Sequence, residues 1–292
     1  MTPLDPAAIR RAFARAATGY EGAAVLQREV EGHLLERVEY VKTLPKRVLD
    51  VGCGPGRASA ALRKRFPKAQ VIALDLALPM ARAARRRAGW WRPVQALCAD
   101  AVALPLPDAS VDLLFSNLCI QWCTDLRAAI DEFRRVLAPD GLLLVSTFGT
   151  DTLHELRAAW AEVDAGPHVN GFPPLAALGD ALLGAGLRDP VADSERYTLT
   201  YADAKQLMRE LKAIGASNAD VARARGLGGK ARLKRVLDAY EPFRRDGVLP
   251  ATYEVMSAQA FGAPPGQPRR DARGEIATVP VSRIGVRRRG PG

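Results

Sequence analysis

VLDVGCGPGRAS, residues 48–59, decides how this chain folds. The apolar run from Arg47 to Val51 predicts a strand. Gly52, Gly54 and Gly56 follow it, and a helical pattern starts near Arg57. Glycines at these points let the backbone turn sharply and bring its N–H groups against a ligand that no side chain obstructs. The spacing is not the full dinucleotide fingerprint. Asp50 also stands just before the turn, where it would repel a pyrophosphate.

Further strands give the turn its context. A second, Gln70 to Leu74, ends at Asp75 and Leu76, with Asp75 placed 19 residues after Gly56. An acid at that strand tip is where an α/β nucleotide site grips ribose hydroxyls, although it could instead cap the helix predicted over Leu78 to Ala88. A third run, Val94 to Cys98, leads to Asp100 and Ala101, placed to accept from an adenine amino group and to pack on its ring. A fourth, Val111 to Phe115, ends at Ser116 and Asn117. The fifth, Gly141 to Phe148, follows a helix over Asp125 to Leu137 and a Pro139-Asp140-Gly141 turn. Four polar strand ends thus fall on one edge of an open α/β sheet, which binds ligands at the switch point between strands one and four. With Asp50 before the turn, the ligand should carry a cationic amino-acid end. S-adenosyl-L-methionine meets that requirement and NAD does not.

Bulk properties narrow the class. No apolar stretch approaches the ~18 residues of a membrane span. The N-terminal MTPLDPAAIRRAF lacks the charged-then-apolar order of a secretory signal. Cys53, Cys98, Cys119 and Cys123 lie in or beside apolar runs without histidines at ligand spacing, so no metal is expected. A reducing cytoplasm suits such thiols. Half of the net charge of +10 comes from residues 261–292, where seven Arg outnumber Asp271 and Glu275. Rich in Pro and Gly, this end is expected to be a disordered basic tail over 263–292. Two clusters remain, Arg82 with Arg85, Arg86 and Arg87, and the stretch Arg223 to Arg235. They read as solvated helix faces or as a face for an acidic partner, and nucleic acid is disfavoured. No exposed apolar stripe stands out, which points to a monomer.

Helical periodicity covers residues 7–40, broken near Thr18-Gly19-Tyr20, and would place a helix pair across the cofactor mouth as a lid over 1–44. Beyond the fifth strand, helices are expected at Thr152 to Val163, Leu175 to Ala185, Asp203 to Ile214 and Lys230 to Arg244. Strands are expected at Val191 to Tyr201 and Thr252 to Phe261. The main domain would then span 45–262, with cap insertions at about 152–186 and 203–248.

The glycine turn and the acids after it resemble the class I S-adenosylmethionine-dependent methyltransferases over roughly residues 45–150. FARAATGYEGAAVLQREV near the N-terminus, SNLCIQWC at 116–123 and TFGTDTLHELR at 147–157 are similar to a narrower family. TLTYADAKQLMRELKAIGASN at 198–218, GLGGK at 226–230 and LPATYEVMSAQAFG at 249–262 are similar to it as well. That family is the malonyl-[acyl-carrier protein] O-methyltransferases of biotin synthesis. The resemblance implies a seven-stranded Rossmann-like α/β sheet with helical caps and lid helices. It also implies methyl transfer to the free carboxylate of a malonyl thioester on acyl carrier protein. One stretch departs. The family often carries F-x-D-M-H-x-x-G-D, whereas residues 172–180 read FPPLAALGD, with Pro174, Leu175 and Ala176 where Asp, Met and His would stand.

Such chemistry needs little acid–base help, because a carboxylate with a pKa near ~4 is already the nucleophile at neutral pH. In-line orientation can supply roughly 7–11 kcal/mol of the barrier reduction, and a lid would exclude water. A bidentate Arg clamp would hold back electron density, so the neutral donors Tyr20, Gln121 and Trp122 are the expected substrate contacts. Arg157 is a candidate anchor for a carboxylate or a phosphate. His33, His154 and His168 are assigned no catalytic role. Arg225, Lys230 and Arg232 are expected to contribute to docking of the acidic carrier. Other readings stay open. They are a methyltransferase for another small carboxylate, a relative of respiratory complex I assembly factors with arginine-modifying activity, and an interaction protein without turnover. Nucleic-acid amino methylation is disfavoured, because SNLCIQW stands where an N/D-P-P-Y/F run would be needed.

Overall fold

Seven apolar runs assemble into one sheet: β1 (Arg47–Val51), β2 (Gln70–Asp75), β3 (Gln95–Cys98), β4 (Val111–Ser116), β5 (Leu137–Phe148), β6 (Arg188–Tyr201) and β7 (Leu249–Phe261). Their order is β3-β2-β1-β4-β5-β7-β6. β1 to β5 are parallel, and β7 inserts antiparallel between β5 and β6. The computed structural model describes residues 3–41, 43–89, 93–223, 229–264, 269–271 and 274–276.

Helices cover both faces, as a parallel sheet requires. They are α1 (Pro6–Ala16), α2 (Tyr20–Ala23), α3 (Val25–Glu36), α4 (Arg57–Arg65), α5 (Leu78–Arg87), α6 (Leu126–Val136), α7 (His154–Ala161), α8 (Leu175–Gly184), α9 (Ala204–Ala213) and α10 (Lys230–Tyr240). The period-two alternation of strand side chains decides which helix meets which residues. Leu49, Val51 and Leu114 point into a core shared with Ile130 and Phe133 of α6 and with Leu178 and Leu182 of α8. Val48, Leu113 and Phe115 point the other way, against Leu62 of α4, Ala84 of α5 and Leu34 of α3. A third core lies beyond the strand ends. There Leu26 and Val30 of α3 meet Leu156 of α7, Leu207 of α9, Tyr240 of α10 and the first half of β7.

Three expectations change. α8 falls within the stretch 152–186 expected as a cap, yet Leu178, Leu182 and Ala185 are buried in the sheet core. From that stretch, α7 and the flanking residues Leu153, Val163, Val169 and Phe172 join the core above the strand ends. β5 begins at Leu137 rather than Gly141, because Leu137 pairs with Val111 before the Pro-Asp-Gly turn shifts the register. In the tail expected to be disordered, β8 (Arg269–Asp271) pairs antiparallel with β9 (Gly274–Ile276). Composition averages over a segment and misses a ladder that short. Residues 265–268, 272–273 and 277–292 lie outside the described residues.

Gly56 caps α4 at φ 84°, and a Cβ there would sit 2.5 Å from the Cα of Ala84 on α5. No side chain motion can relieve a contact with backbone. Gly56→Ala is therefore expected to cost about 2–5 kcal/mol, from left-handed strain plus overpacking, read as a lowered midpoint in denaturant unfolding.

Candidate active site

The loop after β1 is stitched to the end of β2. The N–H groups of Gly52 and Cys53 both donate to the Leu74 carbonyl, at 2.8 and 3.0 Å. Gly54 N–H donates to Asp75 Oδ2 at 2.9 Å, and Ala77 N–H donates to Asp75 Oδ1 at 2.8 Å. Gly56 N–H goes to the Cys53 carbonyl. These loop N–H groups are consumed internally, which corrects the expectation that they face a ligand. The glycines supply positive φ and close approach instead: a Cβ on Gly52, at φ 71°, would collide with the Cys119 side chain. Asp75 is not the helix cap considered as its alternative role, since α5 starts after Ala77 and has no side-chain cap.

A cavity of about 220 Å³ opens at these strand ends. Gly52, Gly54, Asp75, Leu76, Asp100, Ala101 and Asn117 all line it, so most of the expected cofactor residues meet in one place. Gly56 lies behind it, in the α4–α5 contact. Asp50 lies to one side, lining a small pocket with Glu31, Gly52, Gly54 and Asn117. Its carboxylate is 1% exposed and accepts from Ser59 Oγ at 2.5 Å. Burial pushes Asp50 up to about 7, with Glu31 and Asp75 adding repulsion against the Ser59 hydrogen bond. Asp75 is pushed up to about 6, again by burial, which outweighs its two backbone donors. Burial likewise raises Glu31, whose partner is Arg57 at 2.8 Å. Three acids on one side of the loop make this a site for a cation.

A second cavity, of about 80 Å³, adjoins the first and shares Phe13, Tyr20, Leu118 and Trp122 with it. Its lining contains no Lys, Arg, Asp or Glu. Tyr20, Gln121 and Trp122 all line it. The ring of Trp122 stands edge-on to Phe13 at 5.2 Å. Burial and the Asp75 carboxylate raise the Tyr20 phenol, keeping it a neutral donor. Gln121 has a second duty: its Nε2 donates to the Leu118 carbonyl at 2.7 Å, and its Oε1 accepts from Thr147 Oγ1 at 3.3 Å. Arg157 lines neither cavity, because its guanidinium turns back to the Thr152 carbonyl at 2.9 Å.

Several lining residues escaped the sequence reading. Leu118 and Leu153 adopt positive φ, 45° and 56°, which bulky side chains rarely accept. Both face the second cavity, consistent with strain held at working sites. Neither carries a glycine or asparagine that would have signalled the turn. His168 also lines this cavity, stacked on Trp160 at 3.7 Å and bound through Nε2 to Asp164 at 2.7 Å. Asp164 in turn receives Arg232 Nε at 2.8 Å, so Arg232 is engaged rather than free for docking. Lys230 is exposed, and Arg225 lies outside the described residues. Ala176, which replaces the family histidine, is exposed on the first turn of α8 and lines neither cavity. Its identity removes nothing from either.

A parallel sheet with one inserted antiparallel strand, carrying this cavity at the β1–β4 switch, defines a Rossmann-like methyltransferase. A family model described as a methyltransferase domain matches residues 49–145. Solved structures agree on the fold. The YcgJ protein of Bacillus subtilis has a TM-score of 0.55 at 18% identity, covering 80% of this chain and 99% of that one. Phosphoethanolamine N-methyltransferase 2 of Haemonchus contortus, in complex with S-adenosyl-L-methionine, has a TM-score of 0.54 at 18% identity, covering 86% of this chain and 57% of that one. Sequence relatives are closer. A malonyl-[acyl-carrier protein] O-methyltransferase of Xylella fastidiosa is 50% identical over 289 residues, 98% of each chain. The enzyme so named from Halorhodospira halophila is 49% identical over 98% of this chain and 97% of its own. The chain belongs to the malonyl-[acyl-carrier protein] O-methyltransferase family. Among the described residues, no helix is long and apolar enough to cross a membrane, and no cluster of His, Cys, Asp and Glu could hold a metal.

The raised acids make cation binding pH-dependent. A bound cation favours the Asp50 carboxylate, so binding expels its proton and tightens as pH rises through about 7. Affinity for S-adenosyl-L-methionine is expected to be roughly tenfold higher at about pH 8 than at about pH 6, measured by calorimetry. Asp50→Asn should weaken binding and flatten that dependence.

Proposed function

We propose that this chain transfers the methyl group of S-adenosyl-L-methionine to the free carboxylate of a malonyl thioester on acyl carrier protein, giving the methyl ester that starts the pimeloyl chain of biotin. One observation supports it most: a second cavity lined by no Lys, Arg, Asp or Glu meets the cofactor cavity at Tyr20 and Trp122. Such a pocket orients a carboxylate through neutral donors and leaves its electron density available for attack. The names of the relatives point the same way.

The residues fit this cofactor. Asp75 offers the remaining lone pairs of both oxygens to the ribose, with Leu76 beside it. Asp100 and Ala101 take the adenine. Asp50, Gly52, Gly54 and Asn117 enclose the amino-acid end, with Glu31 close by, and an anionic pyrophosphate would be repelled from the same place. When bound, the cofactor supplies a methyl group activated on sulfonium sulfur. Tyr20, Gln121 and Trp122 hold the acceptor carboxylate, and α1 to α3 act as a lid that keeps water from it. No base is required, since the carboxylate is ionised before it arrives.

Mass spectrometry of malonyl-acyl carrier protein incubated with the chain and S-adenosyl-L-methionine is the direct test. A gain of one methyl on the malonyl form, absent from acetyl and succinyl controls, is the expected result. No gain while the cofactor still binds would refute the assignment. Tyr20→Phe is expected to lower kcat/KM by about 3- to 10-fold, the worth of one neutral hydrogen bond, with cofactor affinity retained.

A further inference from the structure

We propose that a basic hollow between α1 and α9 binds the phosphate of the carrier's phosphopantetheine arm, an inference that rests on the carboxyl-methylation reading above. The hollow, of about 430 Å³, is lined by Arg15 and Gly19 on one side and by Arg209, Lys212 and Ser217 on the other. Helix α1 carries Arg10, Arg11 and Arg15 and no acid. The side chains of Arg15 and Lys212 make no ion pair or hydrogen bond with a described residue. Arg209 makes only a long contact with Asp203, at 3.9 Å, and a bond to the Lys205 carbonyl at 3.2 Å. The one acid within α9, Glu210, is turned away to the Tyr201 hydroxyl at 2.8 Å. Apart from that long Asp203 contact to Arg209, no acid of α1 or α9 pairs with the three cations.

Position ties the hollow to the substrate cavity. Ala216 and Asn218 line the second cavity, while Ser217 between them lines the hollow. On α9, Leu211 and Ile214 face inward and Lys212 and Ala213 outward. On α1, Phe13 faces inward and Ala12 and Arg15 outward. Gly215, at φ 79°, allows the two helices to close on each other, since a Cβ there would stand 3.0 Å from the Phe13 ring. The cavities are thus back to back across a layer one residue thick. A pantetheine arm is thin and uncharged between its thioester and its phosphate. With the thioester in the inner cavity, the arm leaves along this edge and its single anion meets Arg15, Arg209 and Lys212 in the hollow.

The test compares malonyl-4′-phosphopantetheine with malonyl-pantetheine, which lacks only the phosphate, on the wild-type chain and on an Arg15→Gln, Lys212→Gln double variant. The wild type is expected to show a KM about tenfold lower for the phosphorylated compound, the scale of a charge-assisted contact. The variant should handle both compounds alike while keeping its thermal midpoint. Calorimetry with 4′-phosphopantetheine and pantetheine reads the same preference without turnover. Equal KM values in the wild type, or a preference that survives in the variant, would overturn the site while leaving carboxyl methylation intact. A loss seen only with the intact carrier would reassign the cations to protein docking, and so would also overturn it. If neither small compound nor malonyl-acyl carrier protein is methylated, the underlying reading falls and the site falls with it.

Discussion

Two strand ends hold the cofactor cavity in shape. The Leu74 carbonyl takes the N–H groups of Gly52 and Cys53, and the Asp75 carboxylate spans Gly54 and Ala77. Three of these four bonds fix the loop after β1 against the end of β2, where Gly52, Gly54 and Gly56 hold positive φ. They also bury an acid: Asp75 is 8% exposed, and burial raises it. Desolvating a carboxylate costs folding free energy unless a partner arrives. The loop and its acid are thus one device, rigid when empty and favourable to a cation when filled. Glycine suits position 54 for its left-handed backbone, φ 52°, since a Cβ there would meet nothing nearer than the Tyr20 ring at 3.9 Å.

The N-terminal helices are attached to that device at three points. Asn117, at the end of β4, donates to the Gln27 carbonyl on α3 and accepts from Ser146 of β5 at 2.7 Å. Arg57, at the start of α4, pairs with Glu31 of α3, and Arg87, at the end of α5, pairs with Glu21 of α2. The Arg87–Glu21 pair is exposed and worth little, whereas Glu31 is mostly buried beneath Arg57. Leu26 and Val30, buried against Phe148 and Tyr253, supply most of the hold. Cofactor cavity and cap therefore share α3. Movement of that helix would change both the Asn117 contact and the Glu31 environment together.

The cofactor side was legible in the sequence because its signals are local. A glycine turn after a strand, and acids at strand tips, have few alternative uses; Asp75, Asp100 and Asn117 line one cavity, with Asp50 in the pocket beside it. The direction of the loop N–H groups was not legible. It depends on Leu74 and Asp75, some twenty residues away, competing for those donors. The cap was read less well, since its helices show only amphipathic periodicity, which says what is buried and not against what. α8, from the same stretch as α7, packs under the sheet beside α6. Leu118 and Leu153 gave no sign of their left-handed backbone, because the contacts that hold them there come from Ser146 and Thr252 on other strands. Arg157 misled for a simpler reason: a long cation beside a cavity can satisfy itself on its own helix turn.

The departure at residues 174–176 concerned chemistry, and the fold removes most of its force. Pro174 caps α8, Leu175 packs on the sheet core and Ala176 faces solvent. A histidine at 176 would stand on that exposed turn, away from both cavities. The imidazole that does reach the substrate side is His168, in the loop before α8. Its ring is fixed by the Trp160 stack, and its Nε2 is fixed by Asp164. Asp164 is held ionised, its carboxyl kept below the usual carboxylate range by His168, the Gly166 N–H and Arg232. The positive charge of Arg232 is spent on that acid at the cavity's outer wall and does not enter the cavity. The wall is thereby polar and ordered without turning the Arg232 guanidinium toward the acceptor carboxylate. A nucleophile that must keep its electron density is best served by that arrangement.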